Sequence, residues 1–288
     1  ANRDVCTRDD VDMLFEDCIL RGVNFFDTSE SFGSVALAEL AGGFGEGEHA
    51  ESLLGSNARL WGPTAPRAPV LATTYITLPW AGRGEGGLAG SLKRSLARAG
   101  RDSFDLVQIH FPFGEATKLM GELRDAHAAG LAGAVGVCNY DAEQLQQAHE
   151  LLGNMGVPLA SHQFSYSLLD RSAETNGVFA KCQELGITPI AHTPLAGGKL
   201  VPPGTCKAGV EQTKDEEILC KLLEFIGSLG YQGKTSSQVA LNYLITKGAV
   251  PVPGCCNTEE AADAMGALGW RLDENDMEII DEKLKSMS

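Results

Sequence analysis

The sequence predicts an α/β fold, a parallel barrel of the (β/α)8 kind, and three observations carry that expectation. Short apolar or β-branched runs alternate with amphipathic stretches along all 288 residues, which reads as repeated βαβ units. Gly22, Gly130, Gly186 and Gly248 each follow a helical stretch and precede a strand, the place of a helix C-cap. The length suits one α/β barrel, and no linker, fixed-period repeat or low-complexity stretch divides the chain, so residues 1–288 read as a single domain.

Each element has its own signal. Strands are expected at Val23–Phe26, Val70–Thr73, Leu106–Ile109, Ala134–Val137, Ala160–Gln163, Thr188–Ala191 and Ala249–Val252. Helices are expected at Arg8–Arg21, Val35–Leu54, Gly86–Ala99, Ala116–Ala129, Ala142–Leu152, Ala173–Leu185, Glu216–Leu229 and Ser236–Thr246. In the third, Leu88, Leu92, Ser95, Leu96 and Ala99 share one face at helical spacing. A closed barrel of this kind has eight strands, and the sequence shows seven. Families of this kind carry a strand ahead of the helix that begins near Thr7, so the missing one is expected to be the first. It is either lost in processing or exists but is absent from this chain, and its absence leaves strand edges that need a cover.

Composition narrows the function. A net charge of −15 and a pI near 4.8 exclude a nucleic-acid binder of the ordinary basic kind. No apolar run is long enough to span a bilayer, so direct membrane insertion is not expected. Eight cysteines form no CxxC pair, which predicts reduced thiols and no metal site. There is no G-x-S-x-G elbow and no HExxH. No signal or transit peptide is legible, and the chain opens on Ala1-Asn-Arg-Asp without a Met, as a processed product does.

Several separated motifs point to one family. Gly22-Val-Asn-Phe-Phe-Asp-Thr-Ser-Glu-Ser-Phe-Gly33 and Leu71-Ala-Thr-Thr-Tyr-Ile-Thr-Leu-Pro-Trp80 come first. Ser91-Leu-Lys-Arg-Ser-Leu-Ala-Arg98, Asp105-Leu-Val-Gln-Ile-His-Phe-Pro112 and Gly133-Ala-Val-Gly-Val-Cys-Asn-Tyr-Asp141 follow. Leu159-Ala-Ser-His-Gln-Phe-Ser-Tyr-Ser-Leu168, Ile187-Thr-Pro-Ile-Ala-His-Thr-Pro-Leu195, Pro251-Val-Pro-Gly254 and Gly266-Ala-Leu-Gly-Trp-Arg-Leu272 complete the set in order. Over nearly its whole length the chain resembles the aldo-keto reductases, and within them the plastid-type oxidoreductases of plants and algae.

The resemblance implies a catalytic Asp, Tyr, Lys and His at the C-terminal ends of strands. Here they correspond to Asp27, Phe32, Thr74 and His110, so the Tyr and the Lys positions are filled by residues that cannot play those parts. A phenyl ring has no proton to give, and Asp27 loses its cationic partner. Asp27 is then expected to be hydrated, protonated, or capping the amides of Thr28–Ser31. Tyr140, Ser31 and Cys138 are the candidates for a replacement acid; Tyr75 is turned away by strand alternation.

The resemblance also implies a nicotinamide dinucleotide site. Asn139 and Gln163 stand where the amide is held, with Cys138 in place of the usual Ser. His192 takes the place of a stacking Tyr or Trp, and Pro194, Leu195, Gly197 and Lys199 form a turn suited to a pyrophosphate. Cys256 stands where a cation meets the 2′-phosphate, and Asp263 and Ala264 where Glu and Asn meet the adenine. The expected cofactor is none, or weakly bound NADP. Taken together these departures predict a catalytically disabled barrel serving as a binding or structural subunit of a larger protein assembly, in the chloroplast or else the cytoplasm. The competing expectations are an NADP-dependent oxidoreductase of altered mechanism, with Asp27, His110 and a water moving the proton, and a dinucleotide sensor without turnover.

Overall fold

The computed structural model describes residues 7–32, 49–77, 86–207 and 209–287. They group into two compact units, one of Val5–Gln163 and Asn176–Thr188, the other of Phe164–Thr175 and Pro189–Ser288.

In the larger unit α1 (Arg8–Leu20) leads into β1 (Phe25–Ser29), and α2 (Ala50–Trp61) into β2 (Val70–Tyr75). Then α3 (Gly87–Ala99) precedes β3 (Phe104–Ile109), α4 (Ala116–Ala128) precedes β4 (Ala132–Cys138), and α5 (Ala142–Asn154) precedes β5 (Leu159–Ser165). The short α7 (Val178–Leu185), which follows α6 (Ser172–Thr175) in sequence, also belongs to this unit. Strands β1 to β5 pair in parallel in chain order, as intervening helices require. Capping boxes at Thr7/Asp10 and Asp141/Gln144 start α1 and α5.

The smaller unit carries β6 (Thr188–His192) and β7 (Val250–Val252) as a parallel pair. Besides α6, its helices among the described residues include α8 (Lys214–Gly230), α9 (Ser236–Lys247), α10 (Thr258–Met265) and α11 (Glu274–Ser286). Thr213/Glu216 and Thr235/Gln238 box the starts of α8 and α9.

All seven expected strands are present among the described residues. β1 begins two residues later than expected, because Val23 and Asn24 complete the turn after Gly22, whose φ is +90°. The expected helix Val35–Leu54 falls mainly on residues outside the described ones; what is described begins at Ala50 and runs on to Trp61. The expected helix Ala173–Leu185 is two pieces, broken at Gly177 with φ +83°. The polar helices α10 and α11 were not expected, since their buried faces are narrow: Ala261 in one, Ile280 and Leu284 in the other.

The layer of helices against the larger unit's sheet is fastened by a buried charge. Glu51 of α2 is 1% exposed, and its carboxylate takes Arg98 of α3 at 2.6 Å and the Thr73 hydroxyl of β2 at 2.8 Å. Removing one partner of such a pair leaves the other's charge buried and unmet. Arg98→Ala should therefore cost about 3–5 kcal/mol of stability in urea unfolding. A loss below about 1 kcal/mol would show that Glu51 does not depend on Arg98.

Candidate functional site

Parallel register brings the polar side chains of the larger unit onto one face of its sheet. Ser29 pairs with Thr74, Thr74 with Gln108, Gln108 with Gly136 and Gly136 with Ser161. Asp27 and His110 lie two residues from members of this row, and Cys138 pairs with Gln163 beyond it, so alternation turns them to the same face. The Ser161 hydroxyl donates to Gln108 Oε1 at 3.1 Å, which confirms the shared face. Gly136 is required between them, because a Cβ there would collide with Ser161 Oγ.

Asp27 is the group whose chemistry this face changes most. Burial pushes its carboxyl from the ordinary 3.8 up to about 7, with the Gln163 amide opposing the rise. Its Oδ1 is covered and makes no close hydrogen bond, and the Gln163 side-chain amide is the donor that faces the carboxyl. The neighbouring Asp27 charge adds to burial in driving the Cys138 thiol well above its usual value. Capping by Asp27 does not occur: Glu30 N–H donates to Thr74 O and Ser31 N–H to Ser29 Oγ.

His110 is fixed on several sides. Its N–H donates to Tyr75 O at 2.8 Å, and its carbonyl accepts from Asn139 Nδ2 at 2.9 Å. Its ring stacks on Phe111 with centroids 4.4 Å apart, and Nδ1 lies 3.0 Å from Thr74 Oγ1. Asn139 makes its bond from a left-handed backbone at φ +60°, held by its own N–H donating to Gln163 O at 2.9 Å. Phe32 is 38% exposed, with its N–H donating to Ser29 O.

The replacement acids fare differently from Asp27. Tyr140 is buried with its hydroxyl unmet, and burial raises its phenol well above the usual range. Ser31 is tied to Ser29 Oγ at 2.9 Å, and Cys138 holds its proton too tightly to give it at neutral pH. His162, next to Gln163, faces the other way: its Nε2 accepts from Tyr140 N–H, its Nδ1 lies 3.6 Å from Cys182 Sγ, and burial lowers its pKa to about 3. That Cys–His contact is core packing.

The smaller unit holds the remaining candidates. Burial lowers the pKa of His192, whose Nδ1 lies 3.1 Å from Thr193 Oγ1. The turn after Pro194 takes left-handed backbone at Ala196 and Gly197, and the N–H groups of Gly198, Lys199 and Leu200 all donate to Leu195 O. Those amides are committed within the turn, and Lys199 pairs with Glu216 at 2.9 Å. Asp263 accepts from the hydroxyls of Thr235 and Ser237 and from Gln238. Beside Cys256 the structure supplies a cation that sequence reasoning missed. Lys207 pairs with Glu260 at 2.8 Å, and Glu260 also accepts from Cys256 N–H. The side chains of Lys207 and Cys256 meet as well. No local pattern could have linked Lys207 to Cys256 across 49 residues of chain. No cluster with metal-ligand potential occurs among the described residues, and none of their helices is long and apolar enough to cross a membrane.

Comparison with known proteins now bears on these groups. Residues 4–285 match the Aldo/keto reductase family. The chain is 32% identical to the chloroplastic pyridoxal reductase of Arabidopsis thaliana, covering 92% of this chain and 73% of that protein. It is 30% identical to the 6-dehydroglucose reductase of Novosphingobium aromaticivorans, covering 88% and 79%. Among solved structures, the Bombyx mori aldo-keto reductase in complex with NADP superposes with a TM-score of 0.73 at 21% identity, covering 98% and 85%. That likeness shows the fold, the expected α/β barrel, and the seven described strands are consistent with a missing first one.

These relatives overturn the disabled-subunit expectation, since they are named as reductases. Burial also raises the Asp27 carboxyl so that it keeps its proton up to near neutrality, the protonated alternative expected for this residue.

The sign of Asp27's effect on stability follows from its raised pKa. Between about pH 4 and 7 the unfolded chain has given up a proton that the native state keeps, so stability falls as pH rises through this window. Asp27→Asn escapes that penalty. Its stability relative to the parent should rise from near pH 4.5 to near pH 7 and then level off in thermal or urea unfolding. A difference that is flat with pH, or that grows toward acid, would refute a raised native pKa.

Proposed function

The chain belongs to the aldo/keto reductase family, and from that premise we propose that it is an NADP-dependent oxidoreductase. It reduces the carbonyl of a small aldehyde or ketone by a mechanism in which Asp27 replaces the tyrosine acid. The observation that carries this reading is the buried carboxyl of Asp27, raised to about 7, with an unmet Oδ1. Phe32 and Thr74 are read as replacements of the family's Tyr and Lys.

The cofactor fits the residues present. The covered side-chain amide of Gln163, which also faces Asp27, suits a carboxamide, and Asn139 is held beside it through the Asn139 N–H to Gln163 O bond. Within the smaller unit, Lys207 lies beside Cys256, the position that the family resemblance gives to the cation for a 2′-phosphate. When bound, NADPH supplies a hydride to the carbonyl carbon. The π pair of the C=O bond then takes the Asp27 proton, leaving an alcohol and a carboxylate that reloads from water. His110 hydrogen-bonds the same oxygen and orients it. General acid catalysis of this kind contributes roughly 10²- to 10⁴-fold.

The aldehyde class is supported by the name of the Arabidopsis relative, a pyridoxal reductase, and chloroplast residence by its description as chloroplastic. Partner proteins are left as a proposal of lower rank: β1 carries a partner on one side only among the described strands of its unit, and an edge of this kind invites a cover.

Purified protein should oxidise NADPH with pyridoxal or a comparable small aldehyde, and Asp27→Asn should lower kcat by roughly 10²-fold or more. Absence of turnover above a buffer blank across a panel of aldehydes and ketones would end this reading. Glu260→Gln frees Lys207 from its pair, so calorimetric affinity for NADPH should rise roughly tenfold relative to NADH, and Lys207→Ala should lower it. No change in that ratio for either variant would remove Lys207 from the 2′-phosphate.

A further inference from the structure

Thr74 is the penultimate residue of β2 and is 3% exposed, and its hydroxyl makes one hydrogen bond, to His110 Nδ1 at 3.0 Å. Its carbonyl is engaged separately, by Glu30 N–H and the Ser29 hydroxyl. The contact follows from register. Thr74 pairs with Gln108 across β2 and β3, and His110 lies two residues further on the same face.

A neutral imidazole allows two assignments here. Either Nδ1 carries the proton and donates to Oγ1, or Nδ1 is the bare nitrogen and accepts from the hydroxyl. The first leaves a buried hydroxyl proton without an acceptor, which costs about 1–3 kcal/mol. The second satisfies both groups. It puts the ring proton on Nε2, because the bond made at one nitrogen sets the state of the other.

We propose that Thr74 is a positioning residue for His110: its hydroxyl donates to Nδ1 and holds the ring as the neutral Nε2–H tautomer, the form that donates a hydrogen bond to the substrate's carbonyl oxygen. The catalytic half of this statement rests on the oxidoreductase reading, whereas the tautomer rests on geometry alone. The ring's plane is set by the stack on Phe111, and its backbone by Tyr75 O and Asn139 Nδ2. Which nitrogen holds the proton is set by the ring's own hydrogen bonds, and Thr74 makes the one at Nδ1. As a β-branched residue in a strand, threonine aims its hydroxyl with little rotamer freedom. The position where a lysine is expected has thus passed from acting on the acid to orienting the hydrogen-bond donor.

The test is the ring-nitrogen NMR spectrum of 15N-histidine-labelled protein near pH 8, with His110 assigned by loss of its signals in His110→Asn. The parent should show Nε2 protonated and Nδ1 as a hydrogen-bonded acceptor. Thr74→Val should move Nδ1 toward an unbonded nitrogen or mix the tautomers, and Thr74→Ser should restore the parent pattern. In turnover, Thr74→Val should lower kcat roughly 3- to 10-fold with KM changed less than about twofold, and Thr74→Ser should recover most of it. A protonated Nδ1 in the parent, or an unchanged Nδ1 signal in Thr74→Val, overturns the proposal. So does an unchanged kcat in that variant. Should Thr74→Val fail to fold, the parent spectrum and Thr74→Ser still decide the tautomer. A parent without any turnover would count against the oxidoreductase reading, and the spectrum would still settle His110.

Discussion

The parallel register of β1 through β5 is the constraint on which the site depends. One residue of slip in any pair would turn its side chains to the opposite face, separating Thr74 from His110 or Asp27 from Gln163. The register is held by more than the backbone ladder. Gln108 and Ser161 meet across Gly136, where the absence of a side chain lets them touch, and the Leu71 N–H is taken by the Asp105 carboxylate at 2.8 Å. Outside the sheet, Glu51 binds α2 to both β2 and α3. These contacts fix the strand ends at which the chemistry takes place.

A face built this way concentrates polar groups where water is scarce, and the outcome for each group depends on its partners. Glu51 is buried with the Arg98 guanidinium 2.6 Å from its carboxylate. Asp27 is buried without a cation, so its carboxyl is raised. Neutral donors and acceptors left unmet, such as the Tyr140 hydroxyl, incur a desolvation cost that a ligand's own polar atoms can relieve. Sites that bind and react are where such costs are tolerated.

Much of the fold was legible because strands buried by helices on a parallel sheet read as short apolar runs, and because Gly22, Gly130, Gly186 and Gly248 all adopt the left-handed backbone of a C-cap. Helices α10 and α11 escaped notice because one or two buried residues make too weak a periodicity. The identities at Asp27, Thr74, His110, Asn139 and Gln163 were also legible from motif position. Their electrostatics were not. Whether a strand-end carboxylate is hydrated or covered depends on side chains from other strands, Gln163 among them, and no local pattern reports it. The same holds for Lys207, which reaches Cys256 and Glu260 only through the fold.

In the proposed reading Phe32 and Thr74 stand at the family's tyrosine and lysine positions, and there the two make sense as a coupled change. A lysine at Thr74 would place a cation on the face shared with Asp27, and a nearby opposite charge favours the ionised carboxylate. An ionised Asp27 is no proton donor, so with lysine in place the acid must be a separate group, as a tyrosine is. With threonine at position 74, burial outweighs the opposing Gln163 amide at Asp27 and its proton is retained to about pH 7, a value near the operating pH that general acid catalysis favours. The tyrosine then becomes dispensable, and Phe32 keeps its ring without its hydroxyl. Either change alone is unfavourable in this scheme: losing tyrosine with lysine present leaves no acid, and losing lysine with tyrosine present leaves the phenol without the cation that activates it. Their joint occurrence is what a transfer of the acid from one residue to another requires.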